Sequence, residues 1–184
     1  MLHTSPASQG LIFSSFLFRD DLHDARELEL FWEENFGKSF SLKPLENPLN
    51  NYYSKEMGAS LSRLFFVTTT SYPREYLLSA KLLSLEWERR WAVDEKRMVN
   101  VDIGFLSLES FLLATTKNYS HRVYLGQNIF ADLTYQFVQG EFQTLPWTYP
   151  DYVDPKKIEF FTWLRSYLLQ KNTTAEKDAS LIKK

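Results

Sequence analysis

The spacing of apolar residues divides the chain into alternating strands and helices. Residues 11–18 form an apolar run that ends before Arg19, which predicts a buried strand. Apolar residues then recur at helical spacing between Asp20-Asp21 and Gly37, and carboxylates and glycine are typical of the start and end of a helix. The pattern therefore predicts a strand followed directly by a helix.

Three more strands and a second helix follow. Phe40 and Leu42 alternate with polar residues, and residues 64–70 are β-branched and aromatic, so both segments are predicted strands. Pro73 opens a second helical pattern, and residues 97–105 alternate as a strand. This order predicts an α+β fold with a ferredoxin-like βαββαβ core, in which the helices cover one face of an antiparallel sheet.

The remaining residues are predicted to extend this sheet and to close it with a helix. Residues 108–115 suggest a short helix, and residues 120–145 a C-terminal β-hairpin extension with one further strand. Asp154 and Pro155 are typical of the first positions of a helix, so a terminal helix is predicted to begin there.

Composition bounds the class of protein. The chain has 184 residues, 44% hydrophobic and 16% aromatic, which predicts one domain over residues 10–170 with flexible termini at residues 1–9 and 171–184. A net charge of −2 gives no general attraction to nucleic acid or to a membrane surface, and neither partner is expected. The absence of cysteine excludes disulfides and thiolate chemistry, and it fits a cytoplasmic location.

The hairpin has a predicted register. Every second residue from 129 to 137 is apolar, and these side chains are expected to share one face. A three-residue turn at residues 126–128 keeps the apolar faces of the two strands matched. It sets three pairs opposite each other: Leu125 and Ile129, Val123 and Ala131, and Arg122 and Asp132.

Polar side chains concentrate at this hairpin. Lys117 and Asn118 precede it, and His121 falls by parity on its apolar face, where a core histidine bonded to backbone is the favoured interpretation. Arg122 and Asp132 are either an ion pair on a solvated face, worth about 0.2–1 kcal/mol, or part of a pocket. On the hairpin alone, the ion pair is favoured.

Two other polar groups have the same ambiguity. Asn100 and Asp102 share one face of a strand, which is either solvated or part of a site. Trp147, Tyr149 and Asp151 lie in the proline-bracketed loop "LPWTYPDY", which either packs the last helix on the sheet or forms the wall of a ligand site.

The segments "TKNYSHRVYLG" and "LPWTYPDY", within a longer similarity over residues 10–170, resemble an uncharacterised bacterial family, domain of unknown function 4416. The resemblance implies a bacterial, cytoplasmic, single-domain protein with no assigned activity. The chain has Ile103 where the family pattern has proline, which predicts a less rigid loop after Asp102. It has Asp132 where the family prefers glutamate.

Taken together, these groups predict a pocket for a small anionic ligand. Lys117 and Arg122 would hold its phosphate or carboxylate, and Asp102 or Asp132 would bind a divalent ion or act as a base. The competing hypothesis is a non-catalytic protein-interaction module that uses the aromatic loop and the sheet face. No catalytic residue or cofactor is assigned, and whether the protein is an enzyme stays open. The candidate ligand-binding residues are Asn100, Asp102, Lys117, Asn118, His121, Arg122, Asp132, Trp147, Tyr149 and Asp151.

Overall fold

The structure, a computed structural model, describes residues 7–43, 53, 57–58 and 60–182, with side chains to residue 174. Proline and asparagine residues predict a loop at residues 44–51, and the adjoining segment "NYYSKEMG" (residues 51–58) is a further candidate part of a site, but the loop and most of this segment lie outside the described residues. In chain order the elements are β1 (Leu11–Arg19), α1 (Ala25–Phe36), β2 (Ser39–Leu42), β3 (Leu61–Thr68), α2 (Tyr76–Arg90), β4 (Val99–Leu106), β5 (Ser110–Thr115), β6 (Val123–Gly126), β7 (Ile129–Val138), β8 (Glu141–Thr144), a 3-10 turn (Pro150–Tyr152) and α3 (Pro155–Ile182).

β1 is a central strand because both of its faces are apolar. Leu11 and Phe13 point to one side of the sheet and Ile12 and Phe16 to the other, and all four side chains are fully buried. β1 pairs antiparallel with β3 along one edge and with β4 along the other. A strand that is apolar on both faces needs a covering layer on each side.

The described strands form one antiparallel sheet in the order β2-β3-β1-β4-β5-β7-β6, with β8 paired to β7. The sheet curls into a half-barrel, and the ferredoxin-like arrangement is not matched. Helices cover both faces of the sheet, where the sequence predicted helices on one face only. The physical reason is that β1 and β3 bury side chains on both sides, so one helical layer would leave half of them in water.

α1 and α2 cover one face. Trp32 of α1 packs against Phe16 and Phe66, with ring centroids 6.2 and 5.9 Å apart. Trp87 of α2 stacks on Phe16 from the other side at 6.1 Å. These large rings anchor both helices to the strands β1 and β3, and they define the first core.

α3 covers the opposite face and defines a second core. Phe161 of α3 lies 4.2 Å from Phe111 and 5.2 Å from Phe13, measured between ring centroids. Tyr135 packs beside the same ring at 5.3 Å. α3 continues past residue 170 to Ile182.

Three local predictions are wrong. Residues 108–115 were expected to form a helix, but Ser110–Thr115 is strand β5, because pairing with β4 and β7 decides the conformation of this short apolar run. α1 begins at Ala25 and not at Asp20-Asp21. Asp24 is its N-cap, and the Asp24 carboxylate accepts a hydrogen bond from the N–H of Arg26. The loop expected after Asp102 is absent, because residues 102 and 103 lie within β4.

The turn of the hairpin contains two residues and not three. Gln127 and Asn128 both have positive φ, 50° and 61°, as a type I′ turn requires. Gly126 therefore lies opposite Ile129, in the place predicted for Leu125.

A β-bulge changes which face of β7 is apolar. Phe111 and Leu112, which are adjacent in β5, pair with Tyr135 and Leu133, so Thr134 is the extra residue. After the bulge, Tyr135 and Phe137 of β7 pack in the second core, under α3. Before the bulge, Ile129 packs in the first core, under α1 and α2. The prediction of one continuous apolar face along β7 is therefore wrong.

Two adjacent leucines of α3 test whether this helix buries the second core. Leu168 is fully buried and Leu169 is 44% exposed. We expect Leu168→Ala to lower the free energy of unfolding by about 2–5 kcal/mol, because it leaves a cavity, and Leu169→Ala by about 1 kcal/mol or less. Urea denaturation of both variants measures the difference, and equal costs would show that α3 does not pack as described.

Candidate functional site

β4 and β5 separate at one end of the sheet. They pair only over residues 103–106 of β4, so residues 99–102 have β1 on one side and no strand of the described chain on the other. Two side chains of α2 bind the peptide groups of Val101 instead. Lys81 Nζ donates to the carbonyl oxygen at 2.9 Å, and Glu88 Oε1 accepts from the N–H at 2.8 Å. These contacts replace a neighbouring strand and leave a gap beside β4.

Lys81 and Glu88 lie two helical turns apart, on the inward side of α2 with Leu77 and Ser84. Both charged side chains are buried. Sequence reasoning missed them, although a signal exists, because charged residues occupy positions in α2 whose spacing is that of a core stripe.

Burial and two nearby cations act in opposite directions on the pKa of the Glu88 carboxyl. Burial raises the pKa of the Glu88 carboxyl above its usual 4.5, and nearby Lys81, the N–H of Val101 and Arg97 partly offset this rise. Arg97 Nη1 lies 3.6 Å from Glu88 Oε2 and also donates to Asn100 Oδ1 at 2.8 Å.

A buried ion pair forms the opposite wall of the gap. Arg122 Nε donates to Asp132 Oδ2 at 2.8 Å, and both side chains are 1% exposed. The remaining guanidinium nitrogens donate to the Lys117 carbonyl oxygen and to the Tyr149 hydroxyl, at 2.8 and 2.7 Å. The predicted pairing is confirmed, but the solvated face is wrong, and every guanidinium nitrogen of Arg122 has a partner within the protein.

A second buried pair lies under the 3-10 turn. Arg63 Nη2 is 3.2 Å from Asp151 Oδ2, with side chains 5% and 7% exposed, and Arg63 also donates to Ser15 Oγ at 2.8 Å. Lys157 Nζ donates to the Asp151 carbonyl oxygen. Burial lowers the pKa of the Lys157 ammonium group.

These walls enclose a cavity of about 180 Å³. It opens between β4, the end of β5 and the 3-10 turn. Residues of six segments contribute to its lining: Tyr53, Lys81, Leu85, Glu88, Arg97, Asn100, Asp102, Leu113, Ala114, Thr115, Thr116, Lys117, Asp132, Tyr149, Asp151 and Tyr152.

Four residues that line this cavity carry a buried polar atom without a hydrogen-bond partner in the described protein. These atoms are Asn100 Nδ2, Asp132 Oδ1, Asp151 Oδ1 and the Tyr152 hydroxyl. Their residues are between 1% and 6% exposed. Burial, with Asp102 nearby, raises the pKa of Tyr152 well above its usual 10.0, so its hydroxyl keeps its proton. The unpartnered atoms of the lining residues are therefore one amide donor, two carboxylate acceptors and one hydroxyl.

Six of the predicted residues line the cavity: Asn100, Asp102, Lys117, Asp132, Tyr149 and Asp151. Arg122 does not line the cavity, but it donates to three of these residues, Lys117, Asp132 and Tyr149. Asn118, His121 and Trp147 do not line it. The cavity therefore brings together predicted residues of the strand, the hairpin and the aromatic loop, whereas these three residues and Arg122 are outside its lining.

His121 is not the core histidine that parity predicted. Its ring stacks on Trp147 with centroids 5.0 Å apart, and its Nε2 lies 3.3 Å from Asp132 Oδ2. Its polar partner is therefore a buried carboxylate, whereas a backbone group was expected. Trp147 itself donates its indole N–H to the Leu133 carbonyl oxygen at 2.9 Å.

Sequence reasoning also missed Arg63 and Lys157. Arg63 had a signal, since alternation in β3 places it on the same face as Leu61, Phe65 and Val67. A charge in an apolar row of a strand needs a buried partner. The partner, Asp151, is far away in the chain, so the pair itself could not be identified from the sequence.

The residues that the structure describes contain no group of three or more histidine, cysteine or acidic side chains arranged to hold a metal ion. The suggestion that Asp102 or Asp132 binds a divalent ion therefore gains no support. Asp132 already shares one oxygen between Arg122 and His121.

Fold and site together define an α+β protein with a curled antiparallel sheet and a polar cavity at its splayed end. The chain belongs to the family described as a domain of unknown function (DUF4416), whose model matches residues 8–167. No curated protein and no solved structure matches it. Among the described helices, none combines the length and the apolar character needed to cross a membrane.

The buried pair Arg122–Asp132 should stabilise the fold more than a surface pair does. We expect Arg122→Met to cost about 3–5 kcal/mol of unfolding free energy, because it leaves the Asp132 charge buried and uncompensated. Arg122→Met/Asp132→Asn should recover much of that loss, since the second change removes the charge. Arg26→Ala, which breaks an exposed pair with Glu29, is the control and should cost about 1 kcal/mol or less. A cost of Arg122→Met equal to that of the control, in chemical denaturation, would contradict this assignment.

Glu88 should make folding stability depend on pH. Its pKa is raised in the folded protein, so its contribution is fully present below the unfolded value near 4.5 and is lost as pH rises through the folded pKa. We expect the unfolding free energy of the wild type minus that of Glu88→Gln to fall over this pH range. Denaturation of both proteins at a series of pH values measures it, and a flat or rising difference would contradict the expectation.

Proposed function

We propose that this protein binds a small phosphate- or carboxylate-bearing ligand in the cavity between β4 and β5. The supporting observation is that four residues lining one cavity each carry a buried polar atom without a partner in the described protein. Each such group costs about 1–3 kcal/mol when nothing bonds it, and a bound ligand removes that cost. A volume of 180 Å³ is below the roughly 300–1,000 Å³ of pockets for drug-sized ligands, which favours a small metabolite.

The anionic group of the ligand would contact Lys117. Its exposed side chain lines the cavity, together with Arg97. Arg122 was predicted to share this role, but each of its three guanidinium nitrogens already donates to Asp132, Lys117 or Tyr149, and Arg122 does not line the cavity. We therefore assign Arg122 to positioning Asp132 and the Lys117 backbone, and the ligand's charge to Lys117.

A protein-interaction module is the second candidate. β6 lies at the end of the sheet order and exposes Val123 and Tyr124, by 66% and 59%. An edge strand with exposed apolar side chains suits pairing with a partner chain. However, β6 has only four residues, and this candidate leaves the unpartnered atoms of the cavity unexplained.

Two broader expectations belong to the same proposal. A cytoplasmic location follows from the cysteine-free composition. A bacterial origin follows from the family resemblance.

A ligand screen followed by titration tests the proposal. Phosphorylated metabolites, nucleotides and small carboxylates are screened for those that raise the melting temperature, because a ligand that binds only the folded state stabilises it. For a ligand found in this way, Lys117→Ala should weaken binding about tenfold or more in calorimetric titration, since it removes a charge-assisted bond.

Lys38→Ala is the matched control, because Lys38 is also exposed but lies outside the cavity. It should bind like the wild type. If no compound raises the melting temperature, the binding proposal is lost and the interaction module is favoured. If Lys117→Ala binds as tightly as the wild type, the anion does not contact Lys117.

A further inference from the structure

The unpartnered atoms of the cavity specify the chemistry of the ligand more narrowly than its charge does. Asp132 Oδ1 and Asp151 Oδ1 are acceptors, whereas Asn100 Nδ2 is a donor. An ionised carboxylate or a fully ionised phosphate offers only acceptors and cannot satisfy the two aspartates. An ammonium group offers only donors and cannot satisfy the amide. A hydroxyl group both donates and accepts, so a set of hydroxyls satisfies all of these atoms.

The charges around the aspartates also favour neutral donors. Asp132 is neutralised by Arg122, and Asp151 by Arg63, through buried contacts at 2.8 and 3.2 Å. A cationic ligand group would therefore meet carboxylates that already have partners. Hydroxyls would instead form charge-assisted O–H···O⁻ bonds to the free oxygens without adding charge.

Aromatic walls complete this arrangement. Tyr53, Tyr149 and Tyr152 line the cavity beside the polar atoms. Aromatic rings offer apolar surface to the C–H groups of a ligand, while the polar groups fix its orientation. Lys117 remains exposed on the lining, where it can contact an anionic group.

We infer that the ligand is a polyhydroxylated compound with one anionic group, such as a sugar phosphate or polyol phosphate. Its hydroxyls contact Asn100, Asp132, Asp151 and Tyr152, and its anion contacts Lys117. This inference rests on the proposed function, and it adds the class of the ligand and its direction in the cavity.

The test compares four probes that share the phosphate group: ribose 5-phosphate, glycerol 3-phosphate, propyl phosphate and inorganic phosphate. Propyl phosphate has the carbon chain of glycerol 3-phosphate without its free hydroxyls. Calorimetric titration should show that ribose 5-phosphate and glycerol 3-phosphate bind at least about tenfold tighter than propyl phosphate and inorganic phosphate. Equal binding of all four would overturn the inference and leave the proposed anion site standing. Binding of none would overturn the inference, and the proposed function would fall with it if no compound of the ligand screen raises the melting temperature either.

Tyr152→Phe provides a variant whose effect on binding is separable from folding. The hydroxyl of Tyr152 has no protein partner, so its removal should leave the melting temperature unchanged or higher. It should nevertheless weaken ribose 5-phosphate binding about fivefold, and leave propyl phosphate binding unchanged.

Tyr135→Phe is the matched control, because the Tyr135 hydroxyl donates to the Tyr152 carbonyl oxygen and does not line the cavity. It should lower the melting temperature and leave ribose 5-phosphate binding as in the wild type. If Tyr152→Phe binds ribose 5-phosphate like the wild type, the hydroxyl contact is wrong and the inference is overturned.

Discussion

The peptide of Val101 is the point on which the cavity depends. In a continuous sheet its N–H and C=O would pair with the neighbouring strand, but Glu88 and Lys81 take these positions. Without them, two buried backbone groups would lose their partners, each at about 1–3 kcal/mol. The two side chains neutralise each other's charge while they bind the backbone. They therefore stabilise a separation of β4 from β5 that would otherwise be costly, and the separation creates the space for the cavity.

The second core explains why the polar groups meet there. The face of the sheet under α3 is apolar at one end, with Phe13, Phe65 and Leu106, and polar at the other. Along β3 and β4 the same face continues with Arg63, Asn100 and Asp102. α3 covers the apolar part and the 3-10 turn covers the polar part, so Asp151 and Tyr152 face the charged residues of the strands. The apolar half of this face therefore forms the second core, and the polar half contributes Asn100 and Asp102 to the lining of the cavity.

Local sequence patterns were sufficient to predict the strands β1, β3, β4 and β7, although not the face on which the apolar residues of β7 lie beyond its bulge. Local parity also predicted the contact between Arg122 and Asp132. These patterns were insufficient where pairing with distant strands determines the conformation of a segment. The run at residues 110–115 has no clear period, and the β-bulge at Thr134 reverses the parity of β7 without a glycine to mark it. Asn100, Lys117 and Asp151 were found as members of separate polar groups along the chain. Their common cavity depends on Lys81, Glu88 and Arg63, whose partners lie far away in the chain.

The positions of the arginine and lysine side chains around the cavity determine which ligand groups it would bind. An arginine that binds a ligand's anion must keep free donors, but Arg122 and Arg63 are used to hold Asp132 and Asp151 in fixed positions. Each pair leaves one carboxylate oxygen without a partner in the described protein, and both aspartates are among the residues that line the cavity. Under the proposed function, holding those carboxylates in place would lower the entropy that binding must overcome, at the cost of stability in the unliganded protein. Recognition would then be governed by hydrogen-bond donors of the ligand, with its charge confined to the side of Lys117.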